Sequence, residues 1–172
     1  VGLIEDPAHI TTQWFKNEGD AILLIGAPVD SDDAYQGLGG SAYLKVRHGM
    51  KKGLPPRCDL NVEKKIHDAL RGWIAQGAVQ SAHDCSEGGL AVTLAECCIS
   101  GESARHTPHL LGAEVQLKNS NCGRLDALLY GETQGRIVIS VPSVFVGKII
   151  GQAELLEIPV HKIGTVGGHS LS

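Results

Sequence analysis

The sequence predicts an α/β fold with helices covering a sheet, because short apolar runs alternate with helical stripes along its 172 residues. Residues 21–26 form a continuous apolar run that ends at glycine, which predicts a strand buried on both faces. Between Val62 and Ile74 apolar side chains recur at helical spacing, which predicts a helix from an Asn61 cap to Gly77. These patterns leave the order and direction of the strands open.

The other elements follow between glycine and proline breaks. In chain order we expect a polar loop at 30–37, a helix at 41–49, a break at 53–56, a strand at 79–83, a helix after the glycines at 88–89, a loop at 101–111, a strand at 113–117, a helix at 125–130, a strand at 136–141, a helix at 144–156, a strand at 160–163 and a short edge strand at 168–171. No linker or repeat interrupts them, so we expect a single domain over residues 1–172.

Composition argues against several classes of protein. A net charge of -4 gives no basic face for nucleic acid, and no apolar run approaches the roughly 20 residues of a membrane-spanning helix. Five cysteines, two of them adjacent at Cys97 and Cys98, make a poor disulfide framework and predict a reducing, cytoplasmic location. The first residues do not form a signal sequence. Because Val1 is not Met, the chain begins either inside a longer coding sequence or after processing, and we expect the former.

The most informative stretch is 81–96, where a strand runs through a short acidic loop into a helix. Ser86 is a candidate N-cap for that helix. Gly88 and Gly89 each cost a helix about 1 kcal/mol relative to alanine, so something must approach the backbone closely there. That neighbour is either a phosphate at the helix start or a tightly packed segment of backbone. The local pattern favours neither.

The segment His83-Asp84-Cys85-Ser86-Glu87-Gly88-Gly89-Leu90-Ala91 resembles a signature in the second half of phosphoribosylformylglycinamidine synthase. Three further segments resemble that family in the same order, namely 1–6 with 9–12, 38–44 and 131–136. The resemblance spans nearly the whole chain and is strongest to the C-terminal domain of the second of two internal repeats. It implies a three-layer α/β/α sandwich with a mixed sheet, like the C-terminal domain of aminoimidazole ribonucleotide (AIR) synthetase.

The resemblance also implies a function. The family converts formylglycinamide ribonucleotide, ATP and glutamine-derived ammonia to formylglycinamidine ribonucleotide in purine biosynthesis. Its catalytic histidine and ATP-contacting residues lie in upstream domains, so we expect no catalytic residue here. The implied cofactors are ATP or ADP and Mg²⁺. The implied partners are the upstream domains and a glutaminase domain or subunit, and a homodimer of the fragment is a further expectation.

Eleven residues are candidates for the site. Asp84 is a candidate Mg²⁺ ligand, because it follows a buried strand and Mg²⁺ prefers hard oxygen ligands, although its side chain could instead cap the turn. The candidates for nucleotide or substrate binding are Gly39, Gly40, Ser41, His83, Ser86, Gly88, Gly89, Glu132, Gln134 and Arg136. Plain structural alternatives stand beside them: a tight turn capped by Ser41, a hydrogen-bonded His83 and a salt bridge from Arg136.

Two other functions remain open from the sequence. The chain could belong to a different ATP-dependent enzyme of the same superfamily, or be a non-catalytic module for nucleotide binding or assembly. A domain cut from a larger enzyme should expose the apolar surface that its neighbours cover, and we expect Leu3, Ile4 and the edge near Tyr43 to contribute. A zinc site is disfavoured because no Cys-x-x-Cys pair occurs.

Overall fold

A computed structural model describes residues 3–4, 6–29, 32–103, 110–117 and 124–172. After a short 3₁₀ turn at Pro7–His9, the elements are β1 Ala21–Ile25, α1 Ala42–His48, α2 Leu60–Ala75, β2 Ser81–Asp84, α3 Gly89–Ser103, β3 Ala113–Val115, α4 Leu125–Tyr130, β4 Ile137–Val141, α5 Ser143–Leu155 and β5 Val160–Val166. The α/β class and the alternation of strands and helices are confirmed. Parts of the predicted loops at 30–37 and 101–111 lie outside the described residues.

The five strands form one sheet in the order β2-β4-β1-β5-β3. Every pairing between these strands is antiparallel. Among the described residues, parallel pairing occurs in two isolated bridges, Thr12 to Ser81 and Ala113 to Leu171. The mixed sheet implied by the family resemblance is therefore an antiparallel sheet with parallel contacts at its margins.

Helices cover both faces of the sheet, which gives the predicted three layers. Along β1, Ile22 and Leu24 belong to a core that includes Leu90 and Leu94 of α3. Leu23 and Ile25 of β1 belong to a second core on the opposite face, together with buried residues of α2 and α5. All five residues of β1 are buried, as its continuous apolar run predicted. Burial of each Ile or Leu side chain in β1 contributes about 1.5–3 kcal/mol.

Two predicted helix starts are wrong in detail. The N-cap of α2 is Asp59 rather than Asn61, because its carboxylate accepts from the main-chain N–H groups of Asn61 and Val62. At α3 the Ser86 side chain does not cap the helix; its hydroxyl donates to the carboxylate of Asp84. The Ser41 cap of α1 is confirmed, since its hydroxyl accepts from the amide of Leu44 at 3.3 Å.

The remaining differences lie at the ends of elements. α3 continues to Ser103, so the loop predicted from residue 101 begins later. β5 extends to Val166, three residues beyond the predicted strand, because β3 pairs with that extension. The predicted edge strand at 168–171 is reduced to the single bridge at Leu171. No helix among the described residues is long and apolar enough to cross a membrane.

Candidate functional site

A pocket of about 450 Å³ opens where β2 ends and β4 begins. Asp84, the last residue of β2, pairs with Ile137, the first residue of β4. The loop from β2 to α3 and the loop from α4 to β4 therefore lie side by side at this edge of the sheet. The pocket is lined by Glu63, His67, Asp84, Cys85, Ser86, Glu87, Glu132, Thr133, Gln134, Gly135, Arg136 and Ile137.

Asp84 presents an ionised carboxylate to this pocket. Its side chain is 69% exposed. The hydroxyl of Ser86 donates to one carboxylate oxygen, and this hydrogen bond is the main reason that the pKa of Asp84 lies below its ordinary value. The other oxygen lies 3.4 Å from Nδ1 of His83. Ser86 and His83 thus contact the carboxylate of Asp84, which remains exposed at the pocket.

His83 is mostly buried between two carboxylates. Its Nε2 lies 2.9 Å from a carboxylate oxygen of Glu96 on α3, while its Nδ1 faces Asp84. Its side chain is only 13% exposed, and it does not line the pocket. This geometry matches the hydrogen-bonded structural histidine that the sequence left as an alternative.

Glu132 links three segments through one oxygen. Its Oε1 accepts from the main-chain N–H of Ala42 at 2.8 Å and from that of Gly88 at 3.0 Å. Its own main-chain N–H donates to the carbonyl of Gly37 at 2.8 Å. A carboxylate of the protein therefore accepts hydrogen bonds from the amide of Gly88, a candidate site residue, and from that of Ala42, which follows the candidate Ser41.

Gly88 and Gly89 are both required by the backbone. Their φ angles are +86° and +66°, a region that favours glycine. A Cβ on Gly89 would lie 2.6 Å from the carbonyl oxygen of Gly131 and 2.9 Å from that of Leu129. Of the two neighbours considered for this glycine pair, the structure provides a tightly packed backbone at Gly89.

The segment Gly39-Gly40-Ser41 does not line the pocket. A Cβ on Gly39 would lie 2.0 Å from the carbonyl oxygen of Leu54, and the amide of Gly40 donates to the carbonyl of Lys52 at 2.8 Å. Ser41 is fully buried as the N-cap of α1. The segment forms a tight capped turn that reaches the pocket through Glu132.

Gln134 and Arg136 occupy opposite environments. Gln134 is exposed and also lines a neighbouring cavity of about 600 Å³. Arg136 is buried at 2% exposure, and its guanidinium donates to the carbonyls of Leu128 at 3.0 Å and Gly131 at 3.1 Å. Arg136 therefore contacts the end of α4 through these two main-chain oxygens.

The sequence reasoning missed that α2 contributes two charged or titratable residues to the pocket. Glu63 and His67 of α2 line its wall, and their side chains lie 3.5 Å apart. Their i, i+4 spacing places them on one face of α2, but the sequence did not indicate that this face lies beside the two pocket loops.

Within the described part of the chain, no group of three or more His, Cys, Asp or Glu side chains is arranged to hold a metal ion. A Mg²⁺ ion at Asp84 would thus take most of its ligands from phosphates, water or other domains.

Comparison with known proteins decides the family. Residues 17–171 match the model of the AIR synthase related protein, C-terminal domain. The chain belongs to this family. Its curated relatives include the phosphoribosylformylglycinamidine synthase subunits PurL of Prochlorococcus marinus strain MIT 9303, 43% identical over 90% of this chain, and of Anaeromyxobacter sp. strain Fw109-5, 39% identical over 99%. The chain spans 19% and 22% of those proteins, about a fifth of their length.

Solved structures share the fold of this chain. Thermotoga maritima PurL complexed with FGAR superposes with a TM-score of 0.71 at 18% identity, covering 94% of this chain and 26% of that protein. A thiamine-monophosphate kinase from Stenotrophomonas maltophilia superposes with a TM-score of 0.51 at 16% identity, covering 94% and 52%. At these identities the likeness concerns the fold alone.

Proposed function

We propose that this chain is a C-terminal domain of a phosphoribosylformylglycinamidine synthase, from the second repeat of that ATP-dependent ligase. The observation that carries the proposal is the 37–46% identity to curated PurL subunits over 83–99% of this chain. The whole protein would convert formylglycinamide ribonucleotide to formylglycinamidine ribonucleotide in cytoplasmic purine biosynthesis. The two loops that resemble the family's signatures line the same pocket, which supports a role for that pocket in ligand binding.

Within that enzyme we infer that the pocket forms one wall of a nucleotide or substrate cleft. Asp84, Ser86 and Gln134 have exposed side chains at the pocket, and we assign direct ligand contacts to them. Other candidate residues would support these side chains without contacting the ligand, namely His83, Arg136, the glycine pair and the turn at 39–41. Nucleotide as a ligand is supported by the solved complexes of T. maritima PurL with ATP, ADP and AMPPCP.

Mg²⁺ would join a phosphate of the nucleotide to Asp84. An ionised, exposed carboxylate at the pocket is a suitable oxygen ligand for this ion. Bound Mg²⁺ would neutralise phosphate charge and orient the phosphates. The residues of this chain would contribute the carboxylate, its orientation by Ser86 and the closed rear wall of the cleft.

The remaining chemistry belongs to other parts of the enzyme. Transfer of a phosphoryl group needs metal ligands and a positioned nucleophile together, and Asp84 is the one member of that set assigned here. Ammonia would come from a glutaminase domain or subunit, an arrangement supported by a T. maritima structure described as PurLQS. Exposed apolar side chains at Leu3 (97%), Ile4 (67%) and Val46 (83%) would pack against upstream domains or a second copy.

Isothermal titration of the 172-residue chain with ADP and Mg²⁺ tests the binding role. We expect heat that saturates with ADP plus Mg²⁺, and a larger loss of Mg²⁺-dependent than Mg²⁺-independent affinity in Asp84→Asn. Asp68→Asn is the matched control, because Asp68 lies on the outer face of α2 among Lys64 and Arg71. Binding that is absent in the wild type, or equally weakened by both variants, would contradict the assignment.

A turnover assay tests whether this chain contains only part of the active site. The chain, purified free of host enzyme and supplied with ATP, Mg²⁺, ammonia and formylglycinamide ribonucleotide, should make no product. Measurable product would show that a complete active site lies within these residues.

A further inference from the structure

Glu132 is a charged pocket residue whose side chain hydrogen-bonds to the main chain of this protein. It lies at the pocket, yet its Oε1 accepts two main-chain hydrogen bonds, from Ala42 at 2.8 Å and Gly88 at 3.0 Å. The two donors are 90 and 44 residues away in sequence. Hydrogen bonds to an ionised acceptor are about twice as strong as neutral ones, so this oxygen is a strong junction between separate segments.

We propose that Glu132 is a positioning residue, which sets the separation of the two pocket loops by serving as an internal anion for their amides. The inference rests on the proposed ligand-binding role of the pocket for its functional part. Gly88 ends the loop that carries Asp84 and Ser86, and Glu132 begins the loop that carries Gln134. One carboxylate oxygen therefore ties the two groups of ligand-contacting side chains to each other and to the first turn of α1.

The carboxylate of Glu132 takes the acceptor position that a ligand phosphate could otherwise take at the amides of Ala42 and Gly88. A free N–H at a positive-φ glycine attracts anions, but the amide of Gly88 already donates to a carboxylate of the same chain. A phosphate of a ligand would have to displace Glu132 to reach this donor. We therefore place incoming phosphates on the open side of the pocket, toward Asp84 and Ser86, rather than on the amide of Gly88.

Loss of the carboxylate should loosen the loops without unfolding the domain. α1 and α4 keep a second contact in the stacked rings of Tyr43 and Tyr130, whose centroids lie 4.8 Å apart. The main-chain bond from Glu132 to Gly37 also persists, because it does not involve the side chain. Glu132→Ala thus removes the junction, whereas Glu132→Gln keeps an acceptor oxygen and removes the charge.

Amide hydrogen exchange measured by NMR on the 172-residue chain tests the structural part. In Glu132→Ala, the protection of Ala42 and Gly88 should fall together by about tenfold or more, which corresponds to loss of a hydrogen bond of ordinary strength. Glu132→Gln should lose less protection than Glu132→Ala, because it keeps an acceptor oxygen but loses the charge. Glu87→Ala is the control, since it removes the same charge from the same pocket without a main-chain partner of its own among the described contacts. The amide of Gly77, at the end of α2, reports on general loosening.

Titration with ADP and Mg²⁺ tests the positioning part. We expect Glu132→Ala to weaken binding by about tenfold, in proportion to the lost protection, and Glu132→Gln to lie between Glu132→Ala and the wild type. Unchanged protection of the two amides in Glu132→Ala would overturn the inference. Equal weakening by Gln and Ala, with protection retained in Gln, would overturn it too, because the charge would then contact ligand directly. Absence of binding in the wild type would contradict the proposed function and leave the exchange test of the junction intact.

Discussion

Gly89→Ala separates packing from ligand approach as the reason for the second glycine. A methyl group there would lie 2.6 Å from one carbonyl oxygen and 2.9 Å from another, both in the backbone at the end of α4. The φ angle of +66° adds a conformational penalty of about 1–2 kcal/mol for an L-residue. Overpacking of a rigid site costs about 1–3 kcal/mol more. The expected loss in the free energy of unfolding is therefore about 2–5 kcal/mol.

Gly77→Ala is the matched control for this experiment. Its φ angle is +69°, close to that of Gly89, but no atom lies within 4 Å of the added methyl group. It should lose only the conformational term of about 1–2 kcal/mol. The difference between the two variants thus measures the steric term alone. For a domain of this size, each kcal/mol lowers the melting temperature by about 2–4 °C.

Urea unfolding of both variants at 25 °C gives the two free energies. The packing explanation is refuted if Gly89→Ala and Gly77→Ala differ by less than about 0.5 kcal/mol, the spread of a neutral surface substitution. Affinity for ADP should be measured on the folded Gly89→Ala protein in parallel. A large loss of affinity with little loss of stability would instead favour a ligand that approaches this glycine.

Three further predictions concern buried and titrating groups. Arg136→Met should destabilise the domain by about 2–4 kcal/mol in urea unfolding, because two buried carbonyls lose a charged donor, and a change below about 0.5 kcal/mol would contradict its role at the end of α4. Ser86→Ala should raise the pKa of Asp84 toward its ordinary 3.8, measured by NMR titration of the carboxyl carbon, whereas an unchanged pKa would exclude the hydroxyl as its cause. Because the pKa of Asp84 is lower in the folded state, its contribution to stability is present above about pH 4 and is lost as the pH falls through the folded-state pKa. In Ser86→Ala, this pH dependence of the free energy of unfolding should weaken. Iodoacetamide followed by mass spectrometry should modify exposed Cys58 well before Cys97, since burial strongly raises the pKa of the Cys97 thiol, and equal rates would contradict that burial.

The elements that sequence predicted best are those with strong local signals. The continuous apolar run of β1 and the stripe from Val62 to Ile74 gave both elements within a few residues, because periodicity records which side chains are buried. The cap of α2 was misplaced by two residues because Asp59 and Asn61 are both good capping residues, and only the backbone geometry selects between them.

Five of the eleven candidate residues line the pocket, and their roles in ligand binding stay predictions. The signature residues Asp84 and Ser86 do lie at the pocket beside Gln134. The junction at Glu132 depends on donors in α1 and at Gly88 that are remote in sequence, so no local pattern could indicate it. Likewise, Arg136 near a strand start gave no sign that its partners would be carbonyls of the preceding helix.

The central place of β1 has a consequence for the growing chain on the ribosome. Ala21 of β1 pairs with Val141 on one side and with Thr165 on the other, so neither neighbour exists when β1 is made. At a synthesis rate of about 5–20 residues per second, this strand waits on the order of ten seconds for its partners. During that delay its apolar residues, which the finished sheet buries completely, remain open to aggregation or to chaperones. Chains truncated before β4 should therefore accumulate as insoluble protein, and recovery of such chains in soluble form would argue against this order of assembly.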